Sequence, residues 1–163
     1  MKRLIVCTFL ALSPLGCSPG YTTLTAAQVV ERGTRRYPNV TREQATEGCA
    51  RALATLGYEV TVKDPGTGTV KTAPRSILAS SQGTSGYAEL NDDSLSWSIT
   101  VQASGAEAVL SAAPRGFRNG TEVKEAAMWT AQVLDGKFRD LWSEVDAALG
   151  AKLSPWAPPP PPK

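Results

Sequence analysis

The chain has 163 residues, 42% hydrophobic, 20% charged and 7% aromatic, a balance that fits one globular domain and excludes a collagen, a coiled coil or a multi-span membrane protein. Its 17 Lys and Arg against 15 Asp and Glu give a formal charge of +2, and removal of Lys2 and Arg3 with a leader would leave 15 against 15. That balance lacks the basic surplus that nucleic-acid binding draws on, and the absence of histidine excludes Ser-His-Asp and Cys-His catalysis and the common His-based metal sites.

Lys2 and Arg3 are followed by the apolar run Leu4 to Leu12 and then by Ser13-Pro14-Leu15-Gly16-Cys17, the layout of a secretory signal peptide. An apolar helix of that length reaches roughly 14 Å, under half of a hydrocarbon core of about 30 Å, so it is too short to span. Gly16-Cys17 resembles the end of the lipobox of bacterial lipoproteins, in which a small residue precedes the cysteine that becomes the acylated first residue. The sequence departs from that pattern at Pro14 and Leu15, where the family favours Leu and then a small residue. The resemblance implies cleavage after residue 16, lipid on Cys17 and, with Ser18 rather than Asp next, the outer membrane with the domain facing the periplasm. Cys7 would leave with the leader. An acylated Cys17 then leaves Cys49 without a partner in the mature chain, whereas an unacylated Cys17 opens a Cys17–Cys49 bridge.

The sequence therefore divides into a signal peptide (1–16), a lipidated start and tether (17–24), one α+β domain (25–153) and a Pro-rich tail (154–163). In the domain, Thr25 is a candidate cap for a short helical stretch, Ala26 to Glu31, stopping at Gly33. Arg35-Arg36-Tyr37 reads as a short strand closed by Pro38-Asn39. Thr41 and Gln44 have capping-box spacing, and Ala45, Cys49, Ala52, Leu53 and Leu56 recur on one helical face until Gly57 stops the helix. From Tyr58 the period becomes two, with Tyr58, Val60 and Val62 on one face. An Asp64-to-Gly68 turn and a strand through Val70 and Thr72 complete a hairpin.

Ser76 to Asp93 reads as a long surface loop with a short edge strand near Tyr87 to Leu90. Leu95, Trp97, Ile99, Val101 and Ala103 then alternate with polar residues in a half-buried strand, and Glu107 to Ala112 returns to Pro114. Arg115 to Gly120 reads as a mobile loop. Thr121 is the candidate cap of a last helix carrying Ala127, Ala131, Leu134, Phe138, Leu141, Trp142, Val145 and Leu149 through a kink at Asp135-Gly136. The expected fold is α+β: an antiparallel sheet of about four to five strands covered on one face by two helices, in the order β-α-β-β-β-β-α.

No arrangement in the sequence compels a catalytic, metal or cofactor site. Cys49 falls on an apolar helix face, where cysteine acts as a small hydrophobe. Asp92 and Asp93 with Glu89 lack the alternation of a calcium loop and read as solvated turn residues, leaving an acid-dependent hydrolase as a minor reading. Ser80 and Ser81 lack a nucleophile elbow, and Gly66-Thr67-Gly68 lacks the lysine of a phosphate loop. Arg32, Arg35 and Arg36 read as a solvated strand with a secondary option on anionic head groups. Trp97 and Trp142 belong to the core, and Trp129 lies off the main stripe at a groove edge. Pro155, Trp156 and Pro158 form P-x-x-P spacing, either a disordered end or a docking peptide for an aromatic groove.

The run Thr34-Arg35-Arg36-Tyr37, a helix, Leu56-Gly57-Tyr58-Glu59-Val60, the Asp64 turn, Gly68 and a second strand is similar to small bacterial envelope lipoproteins. Over residues 34 to 74 the pattern resembles the α+β accessory lipoproteins of the outer-membrane β-barrel assembly machinery. The resemblance implies a non-enzymatic, membrane-anchored module that binds an envelope protein. The alternative is a periplasmic carrier or sensor holding a lipid or small apolar ligand between sheet and helix.

Overall fold

The computed structural model describes residues 23–82, 89–123 and 130–150. In chain order it contains α1 (Ala26–Gly33), β1 (Thr34–Pro38), α2 (Arg42–Thr55), β2 (Val60–Asp64), β3 (Thr69–Thr72), β4 (Arg75–Gln82), β5 (Glu89–Ser104), β6 (Glu107–Arg118), β7 (Thr121–Val123) and α3 (Ala131–Leu149). The chain is α+β with one antiparallel sheet, as its patterning implies. The sheet has seven strands instead of four or five, and three helices stand among the described residues in the order α-β-α-β-β-β-β-β-β-α.

The helix signals act through local chemistry. Thr25 and Thr41 each accept from the backbone N–H three residues on, while Gln28 and Gln44 reach back to the cap N–H, forming two capping boxes. α3 is capped by Thr130, not Thr121, and runs through Asp135 and Gly136 as one helix to a left-handed Gly150. Thr121 instead opens β7, because Asn119 and Gly120 both have positive φ (50° and 78°). They form a two-residue turn that pairs Arg118 with Thr121. The Arg115-to-Gly120 stretch is thus strand and hairpin turn, and β6 passes straight through Pro114. Ser76 to Asp93 is likewise not one loop: Arg75–Gln82 pairs antiparallel with Glu89–Leu95.

The sheet is organised around the long β5–β6 hairpin. At one end β1 pairs with β6 and β3 with β5, giving the order β1-β6-β5-β3-β2; at the other, β4 pairs with β5 and β7 with β6. Each change of partner leaves a break that another group fills. Between β3 and β4, the Trp97 N–H donates to the buried Thr72 hydroxyl at 2.9 Å. Between β1, which begins opposite Ser111, and β7, which ends opposite Gly116, α1 packs on β6 with Gly33 against the Ala112 carbonyl.

α2 and α3 cover one face of the sheet. Cys49, Leu53, Phe138, Leu141, Trp142 and Val145 meet Tyr37, Val70, Leu95, Trp97, Ile99 and Leu110, all at 0–1% exposure. Trp97 and Phe138 meet edge to face with centroids 5.4 Å apart. Two sequence expectations fail at the margin of this core. A register shift between Val60 and Val62 turns Val62 outward, opposite Lys71, and Ala103 is exposed near the β5–β6 turn.

Candidate functional site

The opposite face of the sheet carries no described element. Because side chains alternate along a strand, Ser98, Thr100 and Gln102 of β5 point away from the helices. They stand beside Ala113, Ser111 and Val109 of β6 and Lys71 and Thr69 of β3. β1 extends this face with Thr34 and Arg36, and β2 with Val62. Five strands at about 4.8 Å make it roughly 20 Å wide. The centre of its floor is built of the small side chains Ser98, Thr100, Ser111 and Ala113, flanked by Lys71, Gln102 and Arg36, and its rim holds both exposed large hydrophobics of the described residues, Val30 (66%) and Val62 (39%). Val30 and Thr34 wall a shallow trough of about 150 Å³ over Ser98, Thr100, Ser111 and Ala113.

The arginine cluster near the N-terminus is not a solvated strand. Arg32 is buried, with Nε 2.5 Å from Asp135 Oδ1, and the Trp142 indole N–H donates to its carbonyl at 2.9 Å. Arg35 pairs with Asp146 at 2.9 Å, and the Tyr37 hydroxyl donates to the same carboxylate at 2.7 Å. Burial first, then that bond, drives the Tyr37 pKa well above the usual phenol range. Arg36 is exposed and pairs with Glu107. Arg32 and Arg35 strap α1 and β1 to α3; local periodicity could not reveal acids more than a hundred residues away.

The acidic pair also differs from a solvated turn. Asp93 is buried at 4% exposure on the same side of β5 as Leu95, 2.9 Å from Arg118 Nε. Asp92 is exposed and accepts from the Ser76 hydroxyl at 2.7 Å, while its N–H donates to the Asn119 side chain at 3.0 Å. Both aspartates are thus tied into strand pairing. Cys49 is buried, and burial pushes its thiol pKa up to about 12, which opposes thiolate chemistry. Among the described residues no group of three or more His, Cys, Asp or Glu is placed to hold a metal ion. No described helix is long and apolar enough to cross a membrane.

Cys17, Trp129, Pro155, Trp156 and Pro158 lie outside the described residues, as do the side chains of Ser80, Ser81 and Glu89. The chain's polarity between its two ends is nevertheless defined. Thr23 bridges to Thr130, and Leu24, expected in the tether, is buried with Leu134 at the start of α3. At the other end of α3, Leu149 packs on Gly48, and the Ala148 carbonyl accepts from Arg51. Nineteen helical residues at 1.5 Å each separate these poles by about 28 Å. At the far pole, two hollows of about 700 and 550 Å³ flank the start of α2 and share Asn39, Val40 and Glu43.

No protein-family model matches the sequence, and no curated protein matches it significantly. A solved structure similar to the chain is a DUF4468 family protein from Bacteroides ovatus ATCC 8483, at 15% identity and a TM-score of 0.41, covering 72% of this chain and 85% of that one. A likeness of that degree carries no functional argument.

Proposed function

We propose that the chain is a non-enzymatic, lipid-anchored envelope protein that binds a protein partner through the uncovered face of its sheet. The observation that carries the surface is its centre: the small side chains Ser98, Thr100, Ser111 and Ala113 of β5 and β6, with Val30 and Val62 at the rim. Such a floor lets another backbone approach closely, while the rim supplies apolar contacts. The anchor rests on the leader, Gly16-Cys17 and Ser18, which favour a lipid on Cys17 and the periplasmic side of an outer membrane. From Cys17 to Thr23 an extended chain spans at most roughly 21 Å, so the domain would stand close to the bilayer with the start of α3 toward it.

The carrier reading requires room between sheet and helices. That space is occupied by Trp97, Phe138, Trp142 and Leu53, which favours the binding surface. The test is crosslinking and recovery from membranes with the intact chain and with Thr100→Arg/Ser111→Arg. Both positions are exposed, so the variant should fold normally and lose the captured envelope protein. Equal capture, or none above background with either chain, overturns the surface. Intact mass with and without an inhibitor of lipoprotein signal peptidase tests the anchor separately: a lipid-free mass beginning elsewhere than Cys17 overturns it.

A further inference from the structure

The larger hollow at the far pole is lined by Val40, Glu43, Glu47, Pro65, Ala148 and Leu149 among others. Two of these residues are the last of α3, so the helix ends on the hollow's own rim. Gly150, left-handed at φ 63°, satisfies the Ala147 carbonyl and turns the backbone off the helix axis there. We propose that this hollow is the docking site of the chain's own C-terminal segment, Ala151 to Pro158, with the Trp156 indole seated on Val40, Pro65 and Leu149.

Length, chemistry and charge favour this occupant. From Gly150 to Trp156 a polyproline II segment reaches about 19 Å. A volume of about 700 Å³ has a cube root near 9 Å, so the indole can arrive with chain to spare. The ring would cover the apolar floor, and its N–H requires an acceptor, which Asn39 or Glu43 supplies at the edge. Lys152 enters beside Glu43 and Glu47, whose side chains remain 62% and 49% exposed despite their pairings with Arg42 and Lys63. Proline on both sides of Trp156 lowers the entropy lost on docking. A short tether supplies a local concentration in the millimolar range, so even a millimolar contact would be occupied about half the time. The segment therefore acts as an internal ligand that covers the pole opposite Thr23 and Thr130. This proposal is independent of the one made for the sheet face.

The test compares backbone amide NMR spectra of the full chain and of Trp156→Ala. Docking predicts that Val40 and Glu43, more than a hundred residues from the substitution, shift when the ring current is removed, while Ser98 and Thr100 on the open face stay in place. Trp156→Phe should retain part of the effect, and Glu43→Lys/Glu47→Lys should reproduce it. Changes confined to residues near Trp156 in sequence overturn the proposal. Shifts at Val40 that grow with protein concentration also overturn it, because they assign the hollow to the tail of a second copy.

Discussion

The two ends of the β5–β6 hairpin are held together by different physics. Toward the turn end, β1, β6, β5, β3 and β2 lie under α2 and α3, and their inward residues are apolar and sealed. Toward the opposite end, polar groups link β4, β5, β6 and β7 among the described side chains: Asp93 with Arg118, Arg115 with Glu122, Ser76 with Asp92, and Asp92 with Asn119, beside a small apolar cluster of Leu24, Ile77 and Leu134. One pair of strands thus passes from a region where burial of area dominates stability to one where ladder hydrogen bonds and ion pairs carry more of it. The lesson is that strand continuity does not require a continuous core. Native amide exchange should show the consequence, with the β4 and β7 ladders opening at lower free energy than those of β3 and the middle of β5.

The sharpest way to break the contrast is Leu53→Asp. Leu53 is fully buried on α2, and an unpaired carboxylate there should cost several kcal/mol against a typical total of about 5–15. Denaturant unfolding should show the native state largely lost, and wild-type melting would refute the covered core. Gly33→Ala comes next: its Cβ would run into the Ala112 carbonyl, a backbone atom that cannot turn aside, for a cost of about 1–3 kcal/mol. In the polar half, Arg118→Ala leaves the buried Asp93 without its guanidinium. Because Arg118 is itself 46% exposed, about 1–2 kcal/mol is expected, and Asp93→Asn in the same chain should recover part of it. Arg115→Ala breaks a pair exposed at 49% and 41% and should change stability by under about 1 kcal/mol.

Cys49 lies in the covered half, fully buried on α2. Its pKa is raised from 9.0 to about 12 by burial, so above pH 9 the unfolded chain has released a proton that the folded chain retains. The cysteine contribution to stability therefore falls as pH rises from about 9 to 12. An aromatic disulfide reagent at pH 8 should label Cys49 only as fast as the chain unfolds. Rapid labelling of the native protein would contradict its burial.

Local signals proved strong where the physics is local. Thr41 with Gln44, the Ala45-to-Leu56 stripe, the Leu95-to-Val101 alternation and the stop at Gly57 each concern groups within a few residues of one another. Asn119-Gly120 carried an equally local hairpin signal, but the prolines and arginines before it read as a loop. Ser76 to Asp93 failed for a different reason: its Ser, Gly and Asp content carries no alternating apolar pattern, and Ile77 finds Leu24 and Leu134 only through the tertiary fold. The open face was partly legible as the Ser/Thr side of an alternating hairpin. Val62 joined it only through a bulge, and Val30 only because α1 fills a gap along β6.

Sequence alone carried the capped helices, the central hairpin and the apolar residues that must meet, since capping, periodicity and turn chemistry act over short distances. Folding decided that Arg32 and Arg35 pair with acids on α3, that Asp93 is buried, and which sheet face the described helices leave uncovered. It also brought the end of α3 to the rim of a hollow beside α2. These depend on residues far apart in the chain, and a charge or a small side chain acquires its role from the neighbour that folding places beside it.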